Sequence, residues 1–316
     1  MNSISFNTSF TRLLLLKIAL VVSINTAIAG EGNIEPNRFA EVDFSSAYND
    51  NGGFYNASNH PNFNAFATLQ ADGSIMAWGN PSNGGTAPSG SNYTKIYSNG
   101  FAFAATKTDG SITVWGDRLY GGANAPSGNG YTKIYSTISA FAAIKTDGSI
   151  KAWGASDSGG SGAPSTGVYT KIYSNIYAFA ALKADGSITA WGASSAGGTD
   201  TPSGSGYTKI YSTESAFAAL KTDGSIMAWG NPQYGGTAPS GSGYTKIYST
   251  ERAFAALKAD GSITAWGDSD EGGTGAPSDN GYTKIYSTRC AFVALKADGS
   301  ITEWGTIPTT NNISGI

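Results

Sequence analysis

Tryptophan recurs at an almost fixed spacing along most of this chain, and that recurrence constrains the fold more than any other feature. Successive tryptophans are 37 or 38 residues apart, and they are all the tryptophans in the chain: Trp78, Trp115, Trp153, Trp191, Trp229, Trp266 and Trp304. A fixed period of this length is the signature of a repeat architecture. The 316 residues could hold one large domain or two modest ones, and the unbroken repeat favours a single array.

Each repeat contains three runs that predict β-strands, and the copy at residues 207–243 shows them clearly. Tyr207 to Ser212 approaches the alternation of a strand, Phe217 to Lys221 is a second run, and Ser225 to Trp229 is a third. Asp223-Gly224 separates the last two, and an Asp-Gly pair there is typical of a tight hairpin. The proline- and glycine-rich stretch after Trp229 argues against another long strand. Each unit therefore predicts a three-stranded antiparallel meander, with room for a very short fourth strand.

Seven such sheets predict an all-β fold, a seven-bladed β-propeller with three-stranded blades. A lone small sheet cannot bury both faces, whereas sheets arranged around an axis can. An open β-solenoid is the alternative, and it would need end caps. The first repeat lacks its first strand, and the tail Pro308 to Ile316 aligns with Pro88 to Ile96. We therefore expect the C-terminal strand, Ile313 to Ile316, to pair with Phe66 to Leu69 and close the ring, which would remove exposed sheet edges.

The N-terminal 29 residues have the pattern of a secretory signal peptide. Arg12 and Lys17 precede the apolar run Ile18 to Val22, and residues 27–29 provide a small-x-small cleavage pattern. A membrane anchor is the alternative, but this run is too short to cross a bilayer. We expect cleavage after Ala29 and export to the periplasm or the exterior. Residues 30–62 are a polar lead or cap, in which Phe39 to Phe44 could form a short strand, and the propeller occupies 63–316.

Charge and residue usage exclude several classes of function. The formal charge is −3, or −5 once Arg12 and Lys17 are removed, and no basic run offers a nucleic-acid surface. Cys290 is the only cysteine and His60 the only histidine, which rules out an internal disulfide and most metal-ligand sets and catalytic dyads. None of the patterns HxxxH, CxxC, GxSxG and GxxxxGK(S/T), which indicate metal sites, a hydrolase nucleophile or a phosphate-binding loop, is present in the sequence. We expect a monomeric non-enzyme without cofactor or metal.

Three features could suggest chemistry but have simpler interpretations. An aspartate recurs in every Asp-Gly turn (Asp72, Asp109, Asp147, Asp185, Asp223, Asp260 and Asp298), where aspartate favours the turn itself. The stretch Asp268 to Gly272 lacks the full spacing of a calcium loop and is interpreted as an exposed acidic turn. Cys290 is interpreted as a free thiol without a role, although it could be reactive or join another chain.

The stretch AFAALKADGSITAWGDSDEGG resembles the RCC1-type repeat, which has an aliphatic strand, an Asp-Gly turn, Trp-Gly and a glycine-rich loop. The period is closest to that of the short-bladed secreted type, which includes a propeller β-lactamase inhibitor. The resemblance covers 63–316 and implies a seven-bladed scaffold for protein recognition. This chain has Thr213 to Ala216 where the family often has Gly-x-x-His, and Gly235-Gly236 where it often has Gly-Gln. By position, the resemblance implies target contacts from Phe101 and Tyr177.

The repeats differ mainly at two loops, which antiparallel strands place on one rim. The turn between the first two strands is apolar or aromatic in blades one to four and charged in blades five to seven. Candidate binding residues from the two loops are Phe63, Phe101, Tyr120, Ile138, Ile176, Tyr177, Glu214, Tyr234, Glu251, Arg252, Asp268, Asp270, Glu271 and Arg289. Exposed aromatics beside charges are typical of protein-binding surfaces.

The sequence therefore predicts an exported binding scaffold with a protein partner. Free variation of loop tips is the alternative explanation of the variable rim. A carbohydrate-binding, lectin-like propeller is the alternative function, and a glycan the alternative ligand. A multivalent lectin should repeat its contacts in most blades, which the variable rim does not. Solvent-exposed pockets at the repeated tyrosines, such as Tyr207 and Tyr211, would favour that alternative.

Overall fold

The computed structural model describes residues 60–307, which form an all-β propeller of seven successive blades, as predicted. The signal peptide, most of the polar lead and the predicted closing strand lie outside the described residues. The pairing of Ile313 to Ile316 with Phe66 to Leu69 therefore stays a prediction. Within residues 60–307, no helix is long and apolar enough to cross a membrane.

Each blade is an antiparallel meander, and the first blade contributes two strands within the described range. In chain order the strands are β1 Ala65–Leu69, β2 Ile75–Gly79, β3 Tyr93–Ser98, β4 Ala102–Lys107, β5 Ile112–Gly116, β6 Tyr131–Ser136, β7 Ala140–Lys145, β8 Ile150–Gly154, β9 Tyr169–Ser174, β10 Ala178–Lys183, β11 Ile188–Gly192, β12 Tyr207–Ser212, β13 Ala216–Lys221, β14 Ile226–Gly230, β15 Tyr244–Ser249, β16 Ala253–Lys258, β17 Ile263–Gly267, β18 Tyr282–Ser287, β19 Ala291–Lys296 and β20 Ile301–Gly305.

Short helical turns occupy the loops where a fourth strand was considered. They follow the last strand of five blades and span Pro81–Asn83, Ser156–Ser158, Ser194–Ala196, Pro232–Tyr234 and Ser269–Gly273. In blade five the Asn231 side chain accepts a hydrogen bond from the Gln233 amide and caps the turn. The described blades two to seven therefore have three strands each.

Two local features recur in blades two to seven, and blade five illustrates both. Gly224 has φ of +76°, which the Asp-Gly turn between β13 and β14 requires, and this confirms the predicted hairpin. The pairing of β12 with β13 shifts register between Tyr207 and Lys209. This bulge explains why the first strand only approaches strict alternation.

The recurring tryptophan joins each blade to the one before it. Trp229 Nε1 donates a hydrogen bond of 3.0 Å to the Gly197 carbonyl of the preceding blade. The ring stacks on Phe217 with 5.2 Å between centroids, and both side chains are buried against the preceding blade. Position 197 favours glycine, because its φ is +86° and a Cβ there would lie 3.0 Å from the Phe217 ring and 3.0 Å from the Trp229 ring. The repeat period is therefore the distance along the chain between successive interfaces.

The outer faces of the first and last blades differ from this pattern. Phe66 and Trp78 stack at 5.6 Å, but they are 62% and 49% exposed, whereas Phe217 and Trp229 are 0% and 4% exposed. In the last blade Tyr286 is 43% exposed, and its counterpart Tyr211 in blade five is 2% exposed. The described residues thus contain six buried interfaces between consecutive blades, whereas the outer faces of the first and last blades are partly exposed.

The first strands of consecutive blades contact one another and carry a lysine–tyrosine pattern. Lys209 Nζ lies 5.0 Å from the centroid of the Tyr211 ring, and Lys221 Nζ lies 4.9 Å from that of Tyr207. A lysine ammonium above a tyrosine ring is a favourable cation–π contact. The regularly spaced lysines therefore cover buried tyrosines and are not simply solvated surface charges.

Candidate protein-binding rim

The two variable loops lie side by side in blades one to six, as predicted. In blade five Thr213 Oγ1 donates to the Tyr234 carbonyl at 2.8 Å, which ties the turn before β13 to the loop after β14. In blade two the Asn99 side-chain Nδ2 donates a hydrogen bond of 2.6 Å to the Tyr120 carbonyl, which ties the equivalent two loops together. The Asp-Gly turns lie at the opposite ends of the strands. One rim therefore holds the sequence differences and the other repeats the same turn.

A row of backbone hydrogen bonds joins the variable turns from blade to blade. The amide of one turn donates to the carbonyl of the equivalent residue in the next blade, at 2.7–3.3 Å. The residues in this row are Phe63, Gly100, Ile138, Ile176, Glu214, Glu251 and Arg289. These hydrogen bonds hold the variable turns of consecutive blades next to one another. The variable side chains therefore follow one another along the rim in the order of the sequence.

The first two blades form an aromatic sector on this rim. Phe63 meets Phe101 edge to face with 5.5 Å between ring centroids, and Phe101 lies 4.6 Å from Tyr120. Phe63 is 58% exposed, while Phe101 and Tyr120 are half-buried, and the neighbouring Leu119 is 75% exposed. Three aromatics from three loops thus make one continuous apolar surface that solvent reaches.

Blades three and four continue the apolar part of the rim but expose less side-chain surface than the first two blades. Ile138 is half-buried and Ile176 is buried, so Ile176 supports the row without presenting much surface. Tyr177 is 38% exposed, and its amide is fixed by a 2.9 Å hydrogen bond to the Asn175 side chain. Of these three residues, Tyr177 offers the largest accessible side chain.

Arg252 organises the charged sector at blades five to seven. Its Nε is 3.0 Å from a Glu214 carboxylate oxygen in the preceding blade and 3.9 Å from one of Glu271. The guanidinium also lies 5.0 Å from the centroid of the Tyr234 ring. The hydrogen bond with Glu214 raises the pKa of Arg252 above its usual range. Arg252 therefore makes contacts on several sides, and its side chain remains 36% exposed.

A second ion pair connects the last two blades. Arg289 Nε contacts Glu251, and Arg289 Nη2 donates to the other Glu251 oxygen at 3.1 Å, a two-point arrangement. Glu251 is 6% exposed and Glu271 is 8% exposed, whereas the Arg289 side chain is 66% exposed. Burial, followed by the nearby Glu251 charge, raises the pKa of Glu271. Glu251 and Glu271 thus lie beneath the surface, and Arg289 is the accessible charge.

The acidic loop after β17 is a capped turn. The Asp268 side chain accepts a 2.9 Å hydrogen bond from the Asp270 amide, and Asp270 is exposed. Only part of the predicted acidic turn faces solvent, because Glu271 points inward.

The aspartates of the opposite rim have the structural role that the sequence indicated. Asp223 Oδ1 accepts hydrogen bonds from the Ser225 amide and hydroxyl, at 2.8 and 2.6 Å. These bonds, the hydroxyl first, hold the pKa of Asp223 below its usual range. These carboxylates accept hydrogen bonds from serines of the turns to which they belong.

Tyr207 and Tyr211, the tyrosines on which the lectin alternative depends, do not form the exposed sites that a lectin would need. Tyr207 is 3% exposed and Tyr211 is 2% exposed. Burial raises the pKa of Tyr211 well above its usual range, and that of Tyr173 to about 12. These residues build the interior of the blades.

His60 is a structural residue of this region that the sequence did not indicate. It is 7% exposed, its amide donates to Ser98 and Ser136, and its carbonyl accepts from the Ser98 hydroxyl. Burial lowers the pKa of His60 to about 4. The end of the polar lead is therefore anchored on blades two and three. The sequence did not predict this contact, because His60 is a single histidine outside the repeats and matches no recurring pattern.

Comparison with known structures finds repeat propellers at low identity. The chain is similar to the entire ectodomain of the Physcomitrella patens receptor kinase CR4, at 15% identity and a TM-score of 0.47, with 79% of this chain and 74% of that chain covered. It is also similar to yeast RCC1 (Prp20) from the complex with Kap60, at 15% identity and a TM-score of 0.41, covering 67% and 70%. No protein-family model and no curated protein sequence matches the chain.

Proposed function

We propose that this chain is an exported, non-enzymatic scaffold that recognises a protein partner through its variable rim. The observation that carries the proposal is the assembly of Phe63, Phe101 and Tyr120 into one solvent-reaching aromatic surface. Aromatic side chains held rigidly at a surface dominate the binding energy of many protein interfaces. The opposite rim repeats one Asp-Gly turn through the described blades.

The charged sector of the rim offers a partner different contacts from those of the aromatic sector. Arg252 and Arg289 are the accessible cations, and each is already held by a glutamate of the preceding blade. Because these arginines are already held in place, they lose little conformational freedom when a partner binds. They can therefore bind acidic or hydrogen-bond-accepting groups of a partner that lie beside its apolar contact surface. The partner that we infer therefore combines an apolar projection with neighbouring acidic or carbonyl groups.

The mode of recognition that we infer is that of the short-bladed secreted propellers, in which aromatics on one rim contact the target. Phe101 and Tyr177 occupy the corresponding positions. Asn64, Ser139, Ser215, Arg252 and Cys290 stand where further aromatics would be needed, so a different target is expected.

Capture of exported proteins from the source organism tests this function. The wild-type chain is compared with a Phe63→Ala/Tyr177→Ala variant and with Val168→Ala, an apolar truncation on the opposite rim at a residue that is 64% exposed. We expect one protein to be retained by the wild type and by Val168→Ala, to be lost from the double variant, and to bind directly once purified.

Two results would contradict the proposal. Equal retention by all three proteins would remove the variable rim from recognition. Binding on a glycan array without direct binding of any protein would favour the lectin alternative.

Export is a separate part of the proposal and has its own test. Fractionation and mass measurement of the mature chain should find it outside the cytoplasm and beginning at Gly30. An intact N-terminus in the cytoplasm would contradict export.

A further inference from the structure

The rim loops of the last two blades bring two carboxylates and the only thiol of the chain together. One carboxylate oxygen of Glu251, one of Glu271 and the Cys290 sulfur lie within 4.8 Å of one another. Both glutamates are buried and Cys290 is half-buried. We propose that these three side chains bind a divalent transition-metal ion of the zinc class.

An unsatisfied oxygen inside this cluster points to a ligand. Within residues 60–307, Glu271 Oε2 is inaccessible to solvent and has no hydrogen-bond partner, while Oε1 lies 3.9 Å from Arg252 Nε. A buried carboxylate oxygen without a donor or cation is costly. A metal ion bound between Glu271, Glu251 and Cys290 would satisfy that oxygen directly.

The backbone of all three residues is already fixed. The Glu251 amide donates to the Arg289 carbonyl at 2.9 Å. The Glu271 carbonyl accepts from Thr250 Oγ1 at 3.0 Å, and the Cys290 carbonyl accepts from the Thr306 amide at 2.9 Å. Three separate loops therefore present their side chains from pinned positions, which lowers the ordering cost of binding an ion.

The charges of the neighbourhood favour a divalent cation. Three glutamates (Glu214, Glu251 and Glu271) face two arginines (Arg252 and Arg289), which leaves one excess negative charge among these side chains. Metal binding requires the Cys290 thiolate and releases the thiol proton to water. The set then carries two excess negative charges, which one divalent ion neutralises.

The ligand types identify the class of metal. A thiolate with two carboxylates suits a borderline ion such as Zn²⁺ or Co²⁺, whereas Mg²⁺ and Ca²⁺ prefer oxygen ligands alone. Tetrahedral zinc with one sulfur and two oxygens places these atoms about 3.5 Å apart. The side chains therefore need to approach by about 1 Å, and water would complete the coordination. The ion would clamp blade six to blade seven at the rim.

Cobalt titration of the untagged full chain tests the site, because a single cysteine makes any thiolate–cobalt absorption report on Cys290 alone. We expect one Co²⁺ per chain, a charge-transfer band in the near ultraviolet, and displacement of Co²⁺ by Zn²⁺. Cys290→Ser should lose the band, and Glu251→Gln or Glu271→Gln should weaken binding at least about tenfold. Asp200→Asn, a carboxylate in another blade, should bind as the wild type does.

Near-ultraviolet circular dichroism of the tryptophans shows whether each variant keeps the native packing, and Glu271→Asp retains the carboxylate if Glu271→Gln does not fold. Absence of the band in the wild type would overturn the proposal. A band of unchanged affinity in both glutamine variants would also overturn it, since the thiol would then bind without the carboxylates.

Discussion

Trp229 Nε1 lies 3.0 Å from the carbonyl oxygen of Gly197, and the two residues belong to consecutive blades. The same bond recurs at each of the six buried interfaces, from Trp115 with Gly84 to Trp304 with Gly272. The residue that sets the repeat period is thus the residue that joins the repeats.

Replacing Trp229 by Phe should remove this bond while keeping an aromatic ring against Phe217. The buried Gly197 carbonyl would lose its donor, so the free energy of unfolding should fall by about 1–3 kcal/mol. Denaturant unfolding measures the change. Trp78→Phe is the matched control, because Trp78 is 49% exposed and donates no such bond among residues 60–307. Equal losses in the two variants would contradict the role of the bond.

Deleting residues 308–316 tests ring closure by the C-terminal strand. If the tail pairs with the first blade, the outward amides of residues 66–69 should exchange slowly with solvent in the full chain and quickly in the truncated one. The equivalent amides of β13 provide an internal control. Identical exchange at residues 66–69 in both proteins would show that the tail does not close the ring.

Replacing Arg252 by Met should destabilise the fold because Glu214 and Glu271 would lose a shared cation. The Glu271 side chain is 10% exposed, so we expect a loss of about 1–3 kcal/mol, less than for a fully buried pair because Arg252 is partly exposed. Lys296→Met is the control. Its partner Asp279 is 57% exposed, so solvent screens this pair and the expected change is much smaller than that of Arg252→Met. A neutral Arg252→Met variant would show that the network does not stabilise the interface.

His60 should make stability depend on pH. Its folded pKa is about 4, and its ordinary value is 6.5. As the pH falls from 6.5 to 4 the unfolded chain takes up a proton that the folded chain does not, so stability falls in this window and levels off below it. The difference in unfolding free energy between the wild type and His60→Gln should change by about 3 kcal/mol across the window. A pH-independent difference would show that His60 is not buried in solution.

The repeat made the fold predictable, because each copy restates the same local chemistry. Gly224 shows this well, since an Asp-Gly pair between two strand-forming runs admits few structures, and the observed hairpin has the predicted place. The predicted first strand, Tyr207 to Ser212, has the observed bounds.

The sequence predicted where the variable rim lies, but it did not predict which of the rim's side chains are buried. Antiparallel pairing places the two variable loops together, but burial depends on side-chain direction, which the sequence does not specify. Glu251 and Glu271 were therefore predicted as surface charges and are buried under Arg252 and Arg289. The proximity of Cys290 to both was not foreseen, since its ligand partners come from two other loops.

Photo-crosslinking tests the central claim, recognition of a protein by the variable rim, most directly. A photoreactive phenylalanine analogue is placed at position 177 on the variable rim and, separately, at position 168 on the repeating rim. We expect position 177 to crosslink to one discrete exported protein and position 168 not to crosslink to it. Crosslinking to the same protein from position 168 alone, or equally from both positions, would contradict the claim.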